Sequence, residues 1–226
     1  MASVLRDPQL EALLERLHRQ SSDQSAALAN YFSALSPEQP AALNESDIKR
    51  FLSDKLVALD RDKAEFCYQI CRALNAKRMV EAGTSHGVST LYLAAAARDN
   101  VRANGGTALV IGTEYEPAKA NIARANFAEA GLGEFIDLRE GDLRETLKAL
   151  AGPVDFALID IWTQMAQPAL ERIAGHLRVG AVVICDNTET FRADYRDYFS
   201  FIADPANHLR TMTLPFAGGL EMTVRV

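Results

Sequence analysis

The sequence has 226 residues, 48% hydrophobic and 24% charged, which suits one full globular domain with a small appendage and excludes wholesale disorder, a collagen repeat and a disulfide-rich miniprotein. Lys and Arg number 24 against 30 Asp and Glu, a net charge of −6, and no basic run forms a phosphate-binding stripe, so nucleic acid is not an expected partner. No apolar run approaches the ~18 to 20 residues that cross a bilayer, and the N-terminus is too charged for a signal peptide, so a cytoplasmic protein without membrane association is expected.

The first 58 residues are helical in pattern. Asp7 and Pro8 suit a cap and a first helical position, and Leu10, Leu13, Leu14 and Leu17 follow at helical spacing before a polar break at 20–23. A second helix is predicted over 24–35 and a linker with Pro37 and Pro40 over 36–44, after which Ile48, Phe51, Leu52 and Leu56 mark a third helix. Such stripes need a partner surface, so residues 1–58 are expected to serve as a lid or a dimer arm, and a homodimer is expected.

From Asp62 onward helical and strand patterns alternate, giving a second region over 59–226. Phe66, Ile70 and Leu74 form a helical stripe. Strands are predicted at 78–82, 108–113, 134–139, 156–161 and 181–185, with helices at 89–98, 117–130 and 168–177 between them and one at 194–202 after the last. The strands at 156–161 and 181–185 are continuously apolar and therefore buried on both faces, which predicts an α/β protein with a mostly parallel, doubly wound sheet under helices. The end differs: 209–214 and 220–226, joined through Phe216-Ala217-Gly218-Gly219, read as an antiparallel hairpin that brings the sheet to seven strands.

In such a sheet ligands bind where strands end, near the switch in strand order. The first strand runs into Glu81-Ala82-Gly83-Thr84-Ser85-His86-Gly87-Val88-Ser89, where Gly83 and Gly87 let the backbone pass close to a ligand and Ser89 with the free helix amides can bind a carboxylate. The spacing is GxxxG, which a purely structural turn also satisfies. The second strand ends at Glu114, whose two oxygens can accept both hydroxyls of a ribose; a helix-dipole charge is the other reading and describes Glu116 better. Asp160, Asp186 and Asn187 emerge from the fourth and fifth strands, and acids so placed repel unless a cation joins them, for which magnesium or another hard divalent ion is suited. The alternative is that Asp186 and Asn187 only begin a loop.

Other features read as packing. Cys67 and Cys71 sit four apart on a helix with no further ligand in their segment, and with Cys185 they are expected as reduced core residues. Tyr195, Tyr198 and Phe199 are expected to pack in a core or interface.

These segments, in this order, resemble class I S-adenosylmethionine-dependent methyltransferases of Rossmann-like fold, and within them the cation-dependent O-methyltransferases that include the catechol and caffeoyl-coenzyme A enzymes. The resemblance runs from about Lys55 to Val226. It implies that Glu81, Gly83, Thr84 and Ser89 hold the methionine part of S-adenosylmethionine, with Ser85 also at the cofactor, that Glu114 holds the ribose, and that Asp142 and Trp162 surround the adenine. It further implies that Val57 lines the methionine pocket and that Asp160, which also touches the cofactor, joins Asp186 and Asn187 around the metal. The implied reaction is attack of a substrate hydroxyl on the sulfonium methyl, with the metal lowering the pKa of that hydroxyl, and the implied partner is a small catechol-like or vicinal dihydroxy molecule.

One departure stands out. Many relatives carry Asp-x-Trp-Lys, whose lysine can take the proton, but here Trp162 is followed by Thr163, Gln164 and Met165, and no lysine follows Lys148. Asp160 with the metal, or His86, is the catalytic candidate in its place, although a solvent-facing loop is the favoured description of His86. Competing readings are methylation of a tRNA base, a non-catalytic cofactor-binding relative and, less favoured, a nicotinamide-dependent enzyme, which the missing GxGxxG opposes.

Overall fold

The structure, a computed structural model, describes residues 4–33 and 50–226. The chain forms two compact units, residues 1–58 and residues 59–226.

In the N-terminal unit, α1 (Pro8–Asp23) starts as its sequence dictates: Asp7 accepts from Leu10 N at 3.2 Å and Pro8 takes the first helical position. Leu10, Leu13, Leu14 and Leu17 are its buried stripe. The helix runs through the polar break predicted at 20–23, where the Ser22 hydroxyl turns back to His18 O at 2.9 Å. Helix α2 (Ser25–Ser33) follows. Gln24 Oε1 and Ser21 Oγ accept from Leu56 N and Ala58 N, both at 3.1 Å, fastening the end of the unit to the joint between the helices. The linker over 36–44 and the start of the third predicted helix lie outside the described residues; residues 50–52 are helical, and Phe51 stacks on Tyr31 with centroids 3.7 Å apart.

The second unit is built on seven strands: β1 (Arg78–Ala82), β2 (Leu109–Glu114), β3 (Ile136–Glu140), β4 (Val154–Ile159), β5 (Leu177–Asp186), β6 (Leu209–Leu214) and β7 (Leu220–Arg225). Their order is β3-β2-β1-β4-β5-β7-β6, parallel through β5 and antiparallel where β7 pairs with β5 and β6. Val80, Ala82, Ala157, Ile159 and Val183 join one hydrophobic core, while Met79, Phe156, Leu158 and Ile184 are buried as their alternates, so the sheet is covered on both faces as its apolar strands demand.

The helices of this unit are α3 (Arg61–Ala73), α4 (Val88–Asn104), α5 (Pro117–Glu129), the single turn α6 (Leu143–Thr146), α7 (Thr163–Ala174) and α8 (Arg196–Ala203). Two of these helices and one strand illustrate where the structure departs from the sequence expectation. In α3 the buried face is Lys63, Ala64, Cys67, Tyr68 and Cys71 rather than Phe66, Ile70 and Leu74, because two small thiols and a tyrosine supply the packing. Helix α7 starts at Thr163 and carries Pro168 inside it, since the stripe Ala166, Ala169, Leu170 and Ile173 continues past the proline and its burial outweighs the lost backbone bond. The predicted start of the third strand, 134–135, belongs instead to a 3-10 turn, Gly133–Phe135.

Candidate active site

The strand order reverses between β1 and β4, and the tips of β2, β1, β4 and β5 are neighbours there. The turn after β1 is held against the tip of β4. Gly83 has φ +99°, and a Cβ on it would lie 2.1 Å from the carbonyl oxygen of Asp160, so only glycine fits. Gly87, at φ +85°, has the same restriction against the Phe127 ring, 2.3 Å from a would-be Cβ. Thr84 N donates to Thr113 O at 2.9 Å, tying the turn to β2 as well.

Two acids beside this turn accept hydrogen bonds from neutral donors. Glu81 is fully buried; Thr84 Oγ1 donates to its Oε2 at 2.9 Å and Thr90 Oγ1 donates to the same oxygen. Burial pushes its carboxyl up, against the hydroxyls of Thr90, Ser89 and Thr84, which favour the charged form. Its Oε1 is buried without a hydrogen-bond partner, as is Ser85 Oγ. At the tip of β2, Glu114 Oε2 accepts from Ser85 N at 2.7 Å and Oε1 from Glu116 N at 2.8 Å. Glu114 therefore orders the turn while each of its oxygens keeps a lone pair for a further donor.

The other residues singled out around this turn are less alike. His86 is 3% exposed, which corrects the expectation of a solvent-facing ring: Asn126 Nδ2 holds its carbonyl at 2.9 Å, and the left-handed Gly87 folds the chain inward. Neither ring nitrogen has a hydrogen-bond partner among the described residues, and burial, helped by the charge of Lys119, lowers its pKa. Asp142 caps α6, accepting from Arg144 N at 2.9 Å, and the Arg144 guanidinium beside it holds its carboxyl down at about 2. Trp162 is half-buried at the N-terminus of α7. Val57 belongs to the N-terminal unit, where it is 50% exposed.

At the tips of β4 and β5 the acids meet a cation of the chain itself. Asp186 is buried, and Lys63 Nζ of α3 stands 2.8 Å from its Oδ1 and 3.0 Å from Asp60 Oδ2. The contact with Asp186 is an ion pair by distance rather than a well-directed hydrogen bond. Asp186 Oδ2 accepts from Asn187 Nδ2 at 3.0 Å, and Tyr195 OH donates to Asp186 O at 2.9 Å. Burial works to lower the Lys63 pKa, but Asp186 and Asp60 more than offset it, so the side chain is an ammonium and cannot take a proton at neutral pH. Asp160, half-buried, has no such partner among the described residues; burial first, then the charges of Asp186 and Glu81, push its carboxyl up to about 8.

Asn187 sits at φ +60°, and its loop leans on the hairpin turn before β7. Glu189 N and Thr190 N both donate to Gly218 O, at 2.9 and 3.1 Å, and a Cβ on Gly218 would come within 2.9 Å of Asn187 Oδ1. Tyr195 and Tyr198 are buried in the core, in keeping with the packing expected of them. Cys67, Cys71 and Cys185 are buried free thiols.

Lys63 and Asp60 were missed by sequence reasoning. The available signal was a lysine in register with Ala64, Cys67 and Cys71 on a helix face that turns out to be the buried one. Among the described residues no group of three His, Cys, Asp or Glu side chains is arranged around a metal position. The donors Asp160, Asp186 and Asn187 nevertheless suit a hard divalent ion in kind, and the unpaired, uphill carboxyl of Asp160 marks a deficit of positive charge; the ammonium on Asp186 is the one conflict. No helix among the described residues is long and apolar enough to cross a membrane.

The fold is Rossmann-like, and residues 80–188 match the family model described as a methyltransferase domain. The chain's relatives are O-methyltransferases of the catechol and caffeoyl-coenzyme A type. Catechol O-methyltransferase of Mycobacterium tuberculosis is 31% identical over 152 residues, 67% of this chain and 64% of that protein. The Niastella koreensis catechol O-methyltransferase is 30% identical over 139 residues, 58% of each chain. The chain thus spans somewhat under two thirds of both. Among solved structures, an O-methyltransferase from Bacillus cereus in complex with SAH shares the fold with a TM-score of 0.66 at 21% identity, covering 93% of this chain and 100% of that one.

Proposed function

We propose that the protein is an S-adenosylmethionine-dependent O-methyltransferase acting on a small molecule with two adjacent oxygens, catechol-like or vicinal dihydroxy, with a divalent ion assisting. The observation that carries this reading is the pairing, at one switch point, of a glycine turn flanked by Glu81 and Glu114 with the oxygen donors Asp160, Asp186 and Asn187 on the adjoining tips. The names of the relatives support the same activity.

The buried Glu81 Oε1 is an acceptor suited to the ammonium of a methionine group, with Gly83, Thr84, Ser85 and Ser89 around it. Glu114 is suited to ribose hydroxyls, and Asp142 and Trp162 to the adenine surroundings. Bound S-adenosylmethionine supplies an electrophilic methyl on a sulfonium. A divalent ion, held by Asp160, Asp186 and Asn187, supplies positive charge that lowers the pKa of an acceptor hydroxyl. The chain's own part is to order the turn so that donor and acceptor meet in line, and to keep Asp160 free of protein partners beside them. With Thr163 in the place of the relatives' lysine and His86 buried without partners, neither is a proton acceptor in this reading, and activation of the acceptor hydroxyl would fall to the divalent ion alone.

Methyl transfer from S-adenosylmethionine to catechols, flavonoids and tRNA, with magnesium and with a chelator, tests it. Transfer to a catechol or related diol is expected, and Asp160→Asn should lower it by about a hundredfold or more, equal to ~3 kcal/mol. Transfer confined to tRNA would replace the acceptor class, and binding of NAD instead of S-adenosylmethionine in calorimetry would sink the proposal.

A further inference from the structure

Lys63 is 1% exposed on the inner face of α3, an environment lysine occupies when its charge is answered. The answer comes from Asp186 Oδ1 at 2.8 Å and Asp60 Oδ2 at 3.0 Å, the first of which is an oxygen that a divalent ion would need. Asp186 Oδ2 is meanwhile engaged by Asn187 Nδ2 at 3.0 Å, so both oxygens of this acid already face positively polarised hydrogen. Two cations at one carboxylate oxygen repel each other strongly in a buried site, because little water screens them.

Resting on the methyltransferase reading, we propose that Lys63 is a resident counter-cation that competes with the divalent ion for Asp186. The ammonium neutralises the acid when the ion is away, and the ion takes Asp186 as the ammonium gives up Oδ1, swinging toward Asp60. Asp60, whose side chain is 59% exposed, is the second anchor that keeps the displaced ammonium paired. The arrangement makes the ion loosely held and exchangeable, and it keeps a cation at the tip of β5 throughout. Lys63 is thus a positioning residue that sets the strength of ion binding, not a substitute for the lysine missing after Trp162.

Mn²⁺ binding to the whole chain, read by electron paramagnetic resonance, tests this without any acceptor or turnover. Lys63→Met is expected to bind Mn²⁺ about tenfold or more tightly than the unaltered protein, and Lys63→Arg, which keeps the charge, to stay close to it. Equal or weaker binding by a folded Lys63→Met protein overturns the proposal. Where that variant does not fold, reductive methylation of the unaltered protein, followed by mass spectrometry, gives the answer: labelling of Lys63 rises several-fold when Mg²⁺ is added, and unchanged labelling overturns it. Calorimetry with S-adenosylmethionine runs alongside. A protein that shows the Mn²⁺ pattern but binds no S-adenosylmethionine keeps the competition and loses the methyltransferase reading.

Discussion

The two ends of the site handle buried acids in opposite ways. On the β1–β2 side, Glu81 and Glu114 are met by hydroxyls and backbone amides, neutral donors from the turn and the segments next to it. On the β4–β5 side, Asp186 is met by an ammonium from a distant helix, and Asp160, without a protein partner among the described residues, is pushed up to about 8 by burial and then by the charges of Asp186 and Glu81. Neutral donors fix an acid in place without an opposing charge, so the first end is a cradle ordered by hydrogen bonds. At the second end, one acid depends on a single buried ammonium and the other has no partner among the described residues.

This contrast breaks most sharply at Gly83. Gly83→Ala forces a Cβ against the Asp160 carbonyl, where only 2.1 Å is available, at a positive φ, so it disturbs both ends together. About 3 kcal/mol or more of stability should be lost, with S-adenosylmethionine binding abolished, as thermal unfolding and calorimetry would show. A smaller effect confined to the cradle is expected from Glu114→Ala. Two charge-assisted contacts to ribose of ~1.5 to 3 kcal/mol each are at stake, so affinity for the cofactor should fall at least tenfold. Because Ser85 N and Glu116 N lose their acceptor, melting should drop by a few degrees too, while Mn²⁺ binding at the far tips persists. Unchanged cofactor affinity would take the ribose role from Glu114.

The smallest expected effect concerns the pH response of the cradle. Burial lowers the pKa of His86 in the folded protein, and Lys119 adds to this, so the unfolded chain, with a histidine pKa of about 6.5, takes up the proton first. The stability His86 contributes is therefore complete above about pH 6.5 and declines as pH falls below it. Melting followed from pH 7.5 to 5 should show this decline, and His86→Leu should flatten it; an identical slope in both proteins would mean that other groups govern it.

The sequence made the strands and their tips legible because chemistry at a strand end leaves short marks: a glycine, an acid, then a helix. Gly83, Glu114, Asp160 and Asp186 lie where those marks put them, beside one another at the reversal of strand order. What escaped was the third dimension of α3. The stripe Phe66, Ile70 and Leu74 is the more apolar face by composition, yet the helix buries Lys63 with Cys67 and Cys71, since the acids at the strand tips reward an ammonium there. The burial of His86 escaped for a related reason, as the amide that holds its carbonyl, Asn126, lies forty residues on. Pro168 misled in the other direction, a local stop signal overridden by the packing of α7.

The hairpin turn at Gly218 that props Asn187 has a consequence for how the molecule is made. The cradle draws on β1, β2 and the helices after them, and its hydrogen bonds are all available once residue 126 has left the ribosome. The opposite end waits: Asn187 gains its prop only when Gly218 emerges, and β5 gains its neighbour β7 later still. During vectorial synthesis the hydrogen bonds within the β1–β2 turn therefore have their partners well before those that prop the Asn187 loop do.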